Sequence, residues 1–174
     1  VKYLLEEYQV KAPVTVIPTG LSLAQFETPL PEERKQEMRT QLEIQPGDFV
    51  MLSLGRVAKE KNIEELVHFV SEIDELPLKL IIVGDGPHRP ELEELVAELG
   101  IGEKVYFVGM VAPEEVAAYY QVADLFVSAS TSETQGLTYI EALASGLPAL
   151  CRYDESIAGV IEDGRDGYQY NDFE

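Results

Sequence analysis

The sequence predicts an α/β protein, a Rossmann-like parallel sheet with helices on both faces. Three observations predict it. Apolar runs of strand length alternate with helix-period segments along the whole chain. The runs lack a clean polar face, as strands buried on both sides do. Most of them end at glycine or a polar turn followed by a helix, the order of a βα unit.

Val14-Thr15-Val16-Ile17 is β-branched and stops at Pro18 and Gly20, so it reads as a strand and a turn. Residues 21–30 read as an irregular connection. Pro31 to Leu42 forms a charged amphipathic helix, with Pro31 near the first turn. Phe49 to Gly55 is a near-continuous apolar strand. Asn62 is placed to cap a helix running to about Ile73, with Ile63, Leu66, Val67 and Val70 at helical spacing. Leu78 to Val83 is a buried strand ended by Gly84-Asp85-Gly86-Pro87. Glu91 to Leu99 is helical and stops at Gly100. Val105 to Val108 is a strand and Glu114 to Tyr120 a helix. A strand at Leu125 to Ser128, a helix from about Leu137 to Ala144 and a strand at Ala149 to Cys151 follow. A short helix around Ile157 to Ile161 and an extended piece at Tyr168 to Tyr170 close the chain.

The 174 residues suffice for one domain with a real core. A net charge of −19 argues against nucleic acid, which is bound through Lys and Arg on phosphates, and against a polybasic membrane patch. No apolar run approaches the ~18 residues of a membrane span, and no secretory leader is seen at the start. The opening without Met, in a helix-like segment, suggests a piece of a longer protein. The single Cys151 excludes an internal disulfide and reads as a small buried strand residue.

The distribution of charge is more informative than the sum. Arg56, Lys59 and Lys61 lie within six positions after an apolar strand, and no Lys or Arg occurs between Val105 and Leu150. One cationic spot on an acidic molecule invites a small anion. Arg56 can fork onto phosphate oxygens and Lys61 can act as a point charge. Ligands of parallel sheets bind beyond the carboxyl ends of the strands. The loops of interest are therefore 55–62, 84–88, 109–113 and 129–137.

Of these, 129–137 carries the most chemistry. A strand, a polar loop with Gly136 and a helix aim backbone N–H groups at an anion. Glu133, in the loop, and Glu141, about one turn into the helix, bracket this arrangement. A carboxylate that accepts from two vicinal hydroxyls is a natural ribose contact; a helix-capping pair is the structural alternative. Gly84-Asp85-Gly86-Pro87 is neither a full G-x-G-x-x-G nor a P-loop, and reads first as a turn restarting a helix. Gly109 lets the chain turn where a flat base could lie. Asp124 reads as ordering the preceding loop. His88 reads as exposed, His68 as a surface or supporting residue, and the two make no metal site.

Together, Gly55-Arg56…Lys61, Val83-Gly84-Asp85-Gly86-Pro87, Val105-x-Phe107-x-Gly109 and Glu133-x7-Glu141, followed by Ala142-x-Ala144-x-Gly146-x-Pro148, resemble the group 1 retaining glycosyltransferases of GT-B fold. The resemblance runs from about Val14 to Tyr170 and concerns the C-terminal, nucleotide-sugar-binding half. Residues 132–141 are most similar to bacterial diacylglycerol glucosyltransferases. One departure is Pro18-Thr19-Gly20, where many members carry Asn-Gly.

The resemblance implies that residues 1–174 are a single donor-binding domain whose N-terminal acceptor domain is absent. Arg56 and Lys61 would clamp the diphosphate and Glu141 would hold the ribose. Glu133 would face the donor sugar near the reacting carbon, and the backbone at Gly136, Leu137 and Thr138 would carry phosphate. The base would lie near Gly109, Met110 and Val111. The donor would be a UDP-hexose, with no cofactor and no metal; there is no Asp-x-Asp motif. The location would be cytoplasmic, with any membrane contact made by the missing half. The isolated piece would bind donor and transfer nothing. Two paired carboxylates also occur in glycosidases, but a chain without Trp supplies no Trp-lined sugar cleft. Two other readings stay open. A dinucleotide domain of an oxidoreductase would need a full Gly fingerprint, and a non-catalytic interaction unit would be indifferent to Arg56 or Glu141.

Overall fold

The computed structural model describes residues 5, 7–9, 11–15, 17 and 19–171. The elements are α1 (Ala24–Glu27), α2 (Glu32–Gln41), β1 (Phe49–Leu54), a 3-10 turn (Lys59–Lys61), α3 (Ile63–Glu72), β2 (Leu78–Val83) and α4 (Arg89–Glu98). They continue with β3 (Val105–Gly109), α5 (Val116–Val122), β4 (Leu125–Ser128), α6 (Leu137–Ala144), β5 (Ala149–Arg152), a second 3-10 turn (Glu155–Ile157) and β6 (Gly167–Tyr170).

The six strands form one sheet in the order β3-β2-β1-β4-β5-β6. Every neighbouring pair is parallel, with Phe49 opposite Leu78 and Met51 opposite Leu125. Alternation along each strand builds two cores. Val50, Leu52, Ile81, Val83, Phe126, Ala149 and Cys151 face α1, α2, α5 and α6. Met51, Leu80, Ile82, Val105 and Val127 face α3 and α4, where Leu66, Val67, Val70 and Leu92 meet them. Both faces are therefore covered, which is why the strands read as unbroken apolar runs. On the first face Phe26, Tyr120, Phe126 and Tyr139 form a row of rings with centroids 5.9, 5.8 and 5.5 Å apart.

Local signals account for most boundaries. Pro31 precedes α2 in an extended conformation, Glu32 and Glu33 fill its first turn, and Arg39 its last. Gly100, at φ +67°, follows α4. The helices expected to start at Glu91 and Glu114 start at Arg89 and Val116.

Four expectations change. Val14, Thr15 and Ile17 are exposed and belong to no strand, while Val16 and Pro18 lie outside the described residues. β-Branched composition alone supplies no partner strand there. Residues 21–30 contain α1, closed by Phe26 and Glu27 amides on the Leu23 carbonyl and held by the buried Phe26 ring. Asn62 does not cap α3 through its side chain. It is left-handed (φ +48°), and its Nδ2 donates to Glu65 Oε2 at 2.6 Å. Residues 157–161 are not a helix: the 3-10 turn ends at Ile157, and Ala158 bridges Ile161 around Gly159 at φ +82°.

Candidate functional site

β1 and β4 are neighbours, yet the chain leaves them in opposite directions, towards β2 and β3 on one side and β5 and β6 on the other. The loops beyond their carboxyl ends diverge and leave a crevice. A cleft of ≈ 230 Å³ occupies it, lined by Ser53–Arg56 and Lys61 from the β1 side, Ile82 and Val83 from β2, and Phe126–Ser128 with Glu133–Thr138 from the β4 side. That volume is below the ~300–1,000 Å³ typical of ligand pockets.

The β1 loop is fastened to the loop after β2. Gly55 N donates to Val83 O, Val57 N to Asp85 O, and His88 N to Val57 O, at 2.9, 3.0 and 3.2 Å. Gly84 sits at φ +127°, and a Cβ on it would fall 1.9 Å from Gly55 O; one on Gly86 would fall 2.2 Å from Val57 O. The Gly84-Asp85-Gly86 run therefore lets two backbones touch, beyond restarting a helix. His88 is not exposed: it is 6% accessible, and its Nε2 meets Glu64 Oε1 on α3. The backbone bond from His88 to Val57 carries the ring under α3. His68 is exposed, as read.

Lys61 reaches across the cleft. Its Nζ lies 2.7 Å from Glu133 Oε1 and 3.4 Å from Ser130 Oγ. The two loops also meet through their backbones, Thr131 N donating to Glu60 O at 3.0 Å. Arg56 lines the mouth with its side chain 66% exposed, 3.9 Å from Glu60 Oε1. The guanidinium is thus exposed and loosely held at the mouth of the cleft.

On the opposite wall, Gly136 takes φ +61° and starts α6 without a side-chain cap. A Cβ there would meet Ile157 Cγ2 at 2.8 Å. The positive end of α6 faces the cleft through Gly136, Leu137 and Thr138. Tyr139, buried, donates its hydroxyl to Ser128 Oγ at 2.8 Å and ties the helix to the end of β4. Burial pushes the Tyr139 phenol well above its usual range.

Glu141 does not line the cleft itself. It lies one turn further along α6, half-buried, with Oε2 accepting from Tyr120 OH at 2.9 Å. Burial raises the Glu141 carboxyl above its ordinary value, opposed by the Tyr120 hydrogen bond. The folded chain then holds that proton more tightly than the unfolded one. The contribution of Glu141 to stability falls as pH rises from the ordinary carboxylate range through the raised folded value. Glu141→Gln keeps an acceptor for Tyr120 and removes the buried charge. It is expected to melt higher than the parent at pH 7, with the gap closing as pH is lowered into the acidic range. Melting curves across pH check this, and a constant gap would refute it.

The structure therefore brings Arg56, Lys61, Glu133, Gly136, Leu137 and Thr138 together, with Glu141 beside them. Gly109, Met110 and Val111 stand apart. β3 is the edge strand, Gly109 O accepts from Gly84 N, Met110 is 83% exposed and Val111 packs on the core. Asp124 bonds to β1 rather than to a loop, its carboxylate accepting from Val50 N at 2.8 Å. Cys151 is fully buried, its thiol pushed up to about 12 by burial. Sequence reasoning missed Ser128, Ser130 and Tyr120. The two serines were legible as polar residues at the end of an apolar strand; Tyr120 carried no local signal. Among the described residues no group of three or more His, Cys, Asp or Glu could hold a metal ion, and no helix is long and apolar enough to cross a membrane.

Fold and cleft define a doubly wound α/β domain with an anion-directed crevice at its switch point. The family described as glycosyl transferases group 1 matches residues 34–172, and the chain belongs to it. It is 44% identical over 98% of its length to the alpha-monoglucosyldiacylglycerol synthase of Streptococcus pneumoniae, covering 39% of that protein. It is 41% identical over 90% of its length to the enzyme of the same name from Acholeplasma laidlawii, covering 40% of it. The chain thus spans about two fifths of the length of these relatives. Among solved structures, sucrose-phosphate synthase from Thermosynechococcus elongatus superposes with a TM-score of 0.79 at 30% identity, over 97% of this chain and 42% of that one. The pneumococcal O-GlcNAc transferase in complex with UDP and GlcNAc superposes with 0.64 at 34% identity, over 70% of this chain and 24% of that one. The fold is that of GT-B glycosyltransferases.

Proposed function

We propose that this chain is the donor-binding half of a retaining, metal-independent hexosyltransferase that takes a UDP-hexose, UDP-glucose foremost. The observation that carries the reading is the cleft, where Lys61, Arg56 and the uncapped start of α6 converge at the switch point. The names of the two relatives support glucose as the sugar and diacylglycerol or a related glycolipid as the acceptor. The UDP complex supports the base.

In this reading the diphosphate lies between Arg56, Lys61 and the amides of Gly136–Thr138. As the bond from the sugar to phosphate breaks, negative charge grows on the leaving diphosphate. Cations and a helix N-terminus aimed there stabilise the transition state more than the ground state, without a metal ion. Glu133 faces the sugar and Glu141 the ribose. Turning of the Arg56 side chain, together with groups from the other half of the enzyme, completes a site larger than the present cleft. The acceptor is bound by that other half, which also makes any contact with the inner face of the membrane. The 174 residues alone bind donor and do not transfer. The enzyme works in the cytoplasm.

Thermal unfolding with UDP, ADP, GDP and NAD, with and without Mg²⁺, tests the reading. UDP at 100 times its dissociation constant adds ~2.7 kcal/mol, or roughly 5–10 °C at this size. The expected result is a UDP shift that needs no metal and is lost in Arg56→Ala. A chain that responds to none of the four leaves two options, a donor site formed only with the other half of the enzyme or an interaction domain.

A further inference from the structure

The two groups the donor needs most are bound to each other. Lys61 Nζ lies 2.7 Å from Glu133 Oε1, with the side chains 28% and 11% exposed. Ser130, 1% exposed, holds the same ammonium at 3.4 Å. An entering diphosphate needs Lys61, and it cannot share the cleft with an adjacent carboxylate without like-charge repulsion. Lys61 must therefore pass from one anion to the other.

Resting on the donor-site reading above, we propose that Glu133 is a specificity-determining residue that separates the intact donor from its nucleoside diphosphate product. Once a diphosphate has drawn Lys61 away, the Glu133 carboxylate has lost its cation in a place that water reaches poorly. A carboxylate there needs new donors. A hexose on the diphosphate brings hydroxyls, which a carboxylate accepts well. A bare nucleoside diphosphate brings none to Glu133, since its ribose hydroxyls lie at Glu141. The exchange is thus favoured with the sugar attached and disfavoured without it. After transfer, Glu133 retakes Lys61 and the product leaves.

Titration calorimetry of the 174-residue chain with UDP and with UDP-glucose tests this. Glu133→Gln is expected to bind UDP about tenfold more tightly than the parent and UDP-glucose about tenfold more weakly, so the preference between them changes about a hundredfold. Glu133→Ala repeats the measurement should the amide fold poorly, with melting curves confirming a folded chain. Glu60→Gln controls for lost negative charge at the rim: it should move both affinities in one direction and leave their ratio alone. UDP binding that is unchanged or weaker in both Glu133 variants overturns the proposal and leaves the donor site standing. A parent chain that binds neither ligand overturns the proposal, which stands on donor binding by this half.

Discussion

Gly84→Ala is expected to lower stability by at least ~3 kcal/mol, which is roughly 6–12 °C for a chain of this size. Two effects combine. At φ +127° a side chain is strained in any surroundings, a cost of about 1–3 kcal/mol. The added Cβ would also fall 1.9 Å from Gly55 O, a backbone atom that cannot rotate away. The β1 loop must retreat, and the Gly55 N to Val83 O bond with it. Gly146→Ala isolates the first effect, since Gly146 has φ +75° and nothing within 4 Å of an added methyl group. It should lose only about 1–2 kcal/mol, the cost of a side chain in the left-handed region. Melting curves of the two variants side by side decide the matter, and equal losses would show that the contact between the loops is soft. Because Arg56 follows Gly55 directly, Gly84→Ala should also weaken nucleotide binding where Gly146→Ala does not.

Lys61→Met is expected to weaken UDP binding by roughly 10- to 100-fold, the loss of a charge-assisted hydrogen bond worth ~1.5–3 kcal/mol. The same change strands Glu133, whose side chain is only 11% exposed. An unpaired carboxylate in such a place costs ~1–3 kcal/mol. The double variant Lys61→Met with Glu133→Gln separates the two losses: it should recover most of the stability and little of the UDP affinity. Calorimetry and melting of the single and double variants give both numbers. UDP affinity that survives in Lys61→Met would remove Lys61 from the site.

The sheet was legible because its central strands are apolar on both faces. Val50 and Leu52 feed one core and Met51 the other, so β1 reads as a continuous run. Lys61, Glu133 and Gly136 were legible because each lies in a loop that follows a strand end. What the sequence concealed was tertiary. Nothing near His88 announces that Glu64 will cover it, and nothing near Tyr120 announces Glu141, 21 residues on. Gly84-Asp85-Gly86 looked like a turn because its second partner, the Gly55–Val57 backbone, is some 30 residues away in sequence. Val14, Thr15 and Ile17 mislead for the opposite reason: strand-like residues that pair with no neighbour among the described residues stay exposed.

The ring of Tyr120 carries one further consequence. It stands in the aromatic row of the core between Phe26 and Phe126, and the same residue holds Glu141 through its hydroxyl. The α6 wall of the cleft therefore hangs from the interior. Among the described residues, Arg56 across from it is held only by an exposed pair with Glu60 at 3.9 Å. The cleft has one wall fixed from the interior and, at its mouth, one loosely held side chain. In the proposed donor site, the α6 wall is already in place and any adjustment to the ligand falls to the Arg56 side chain.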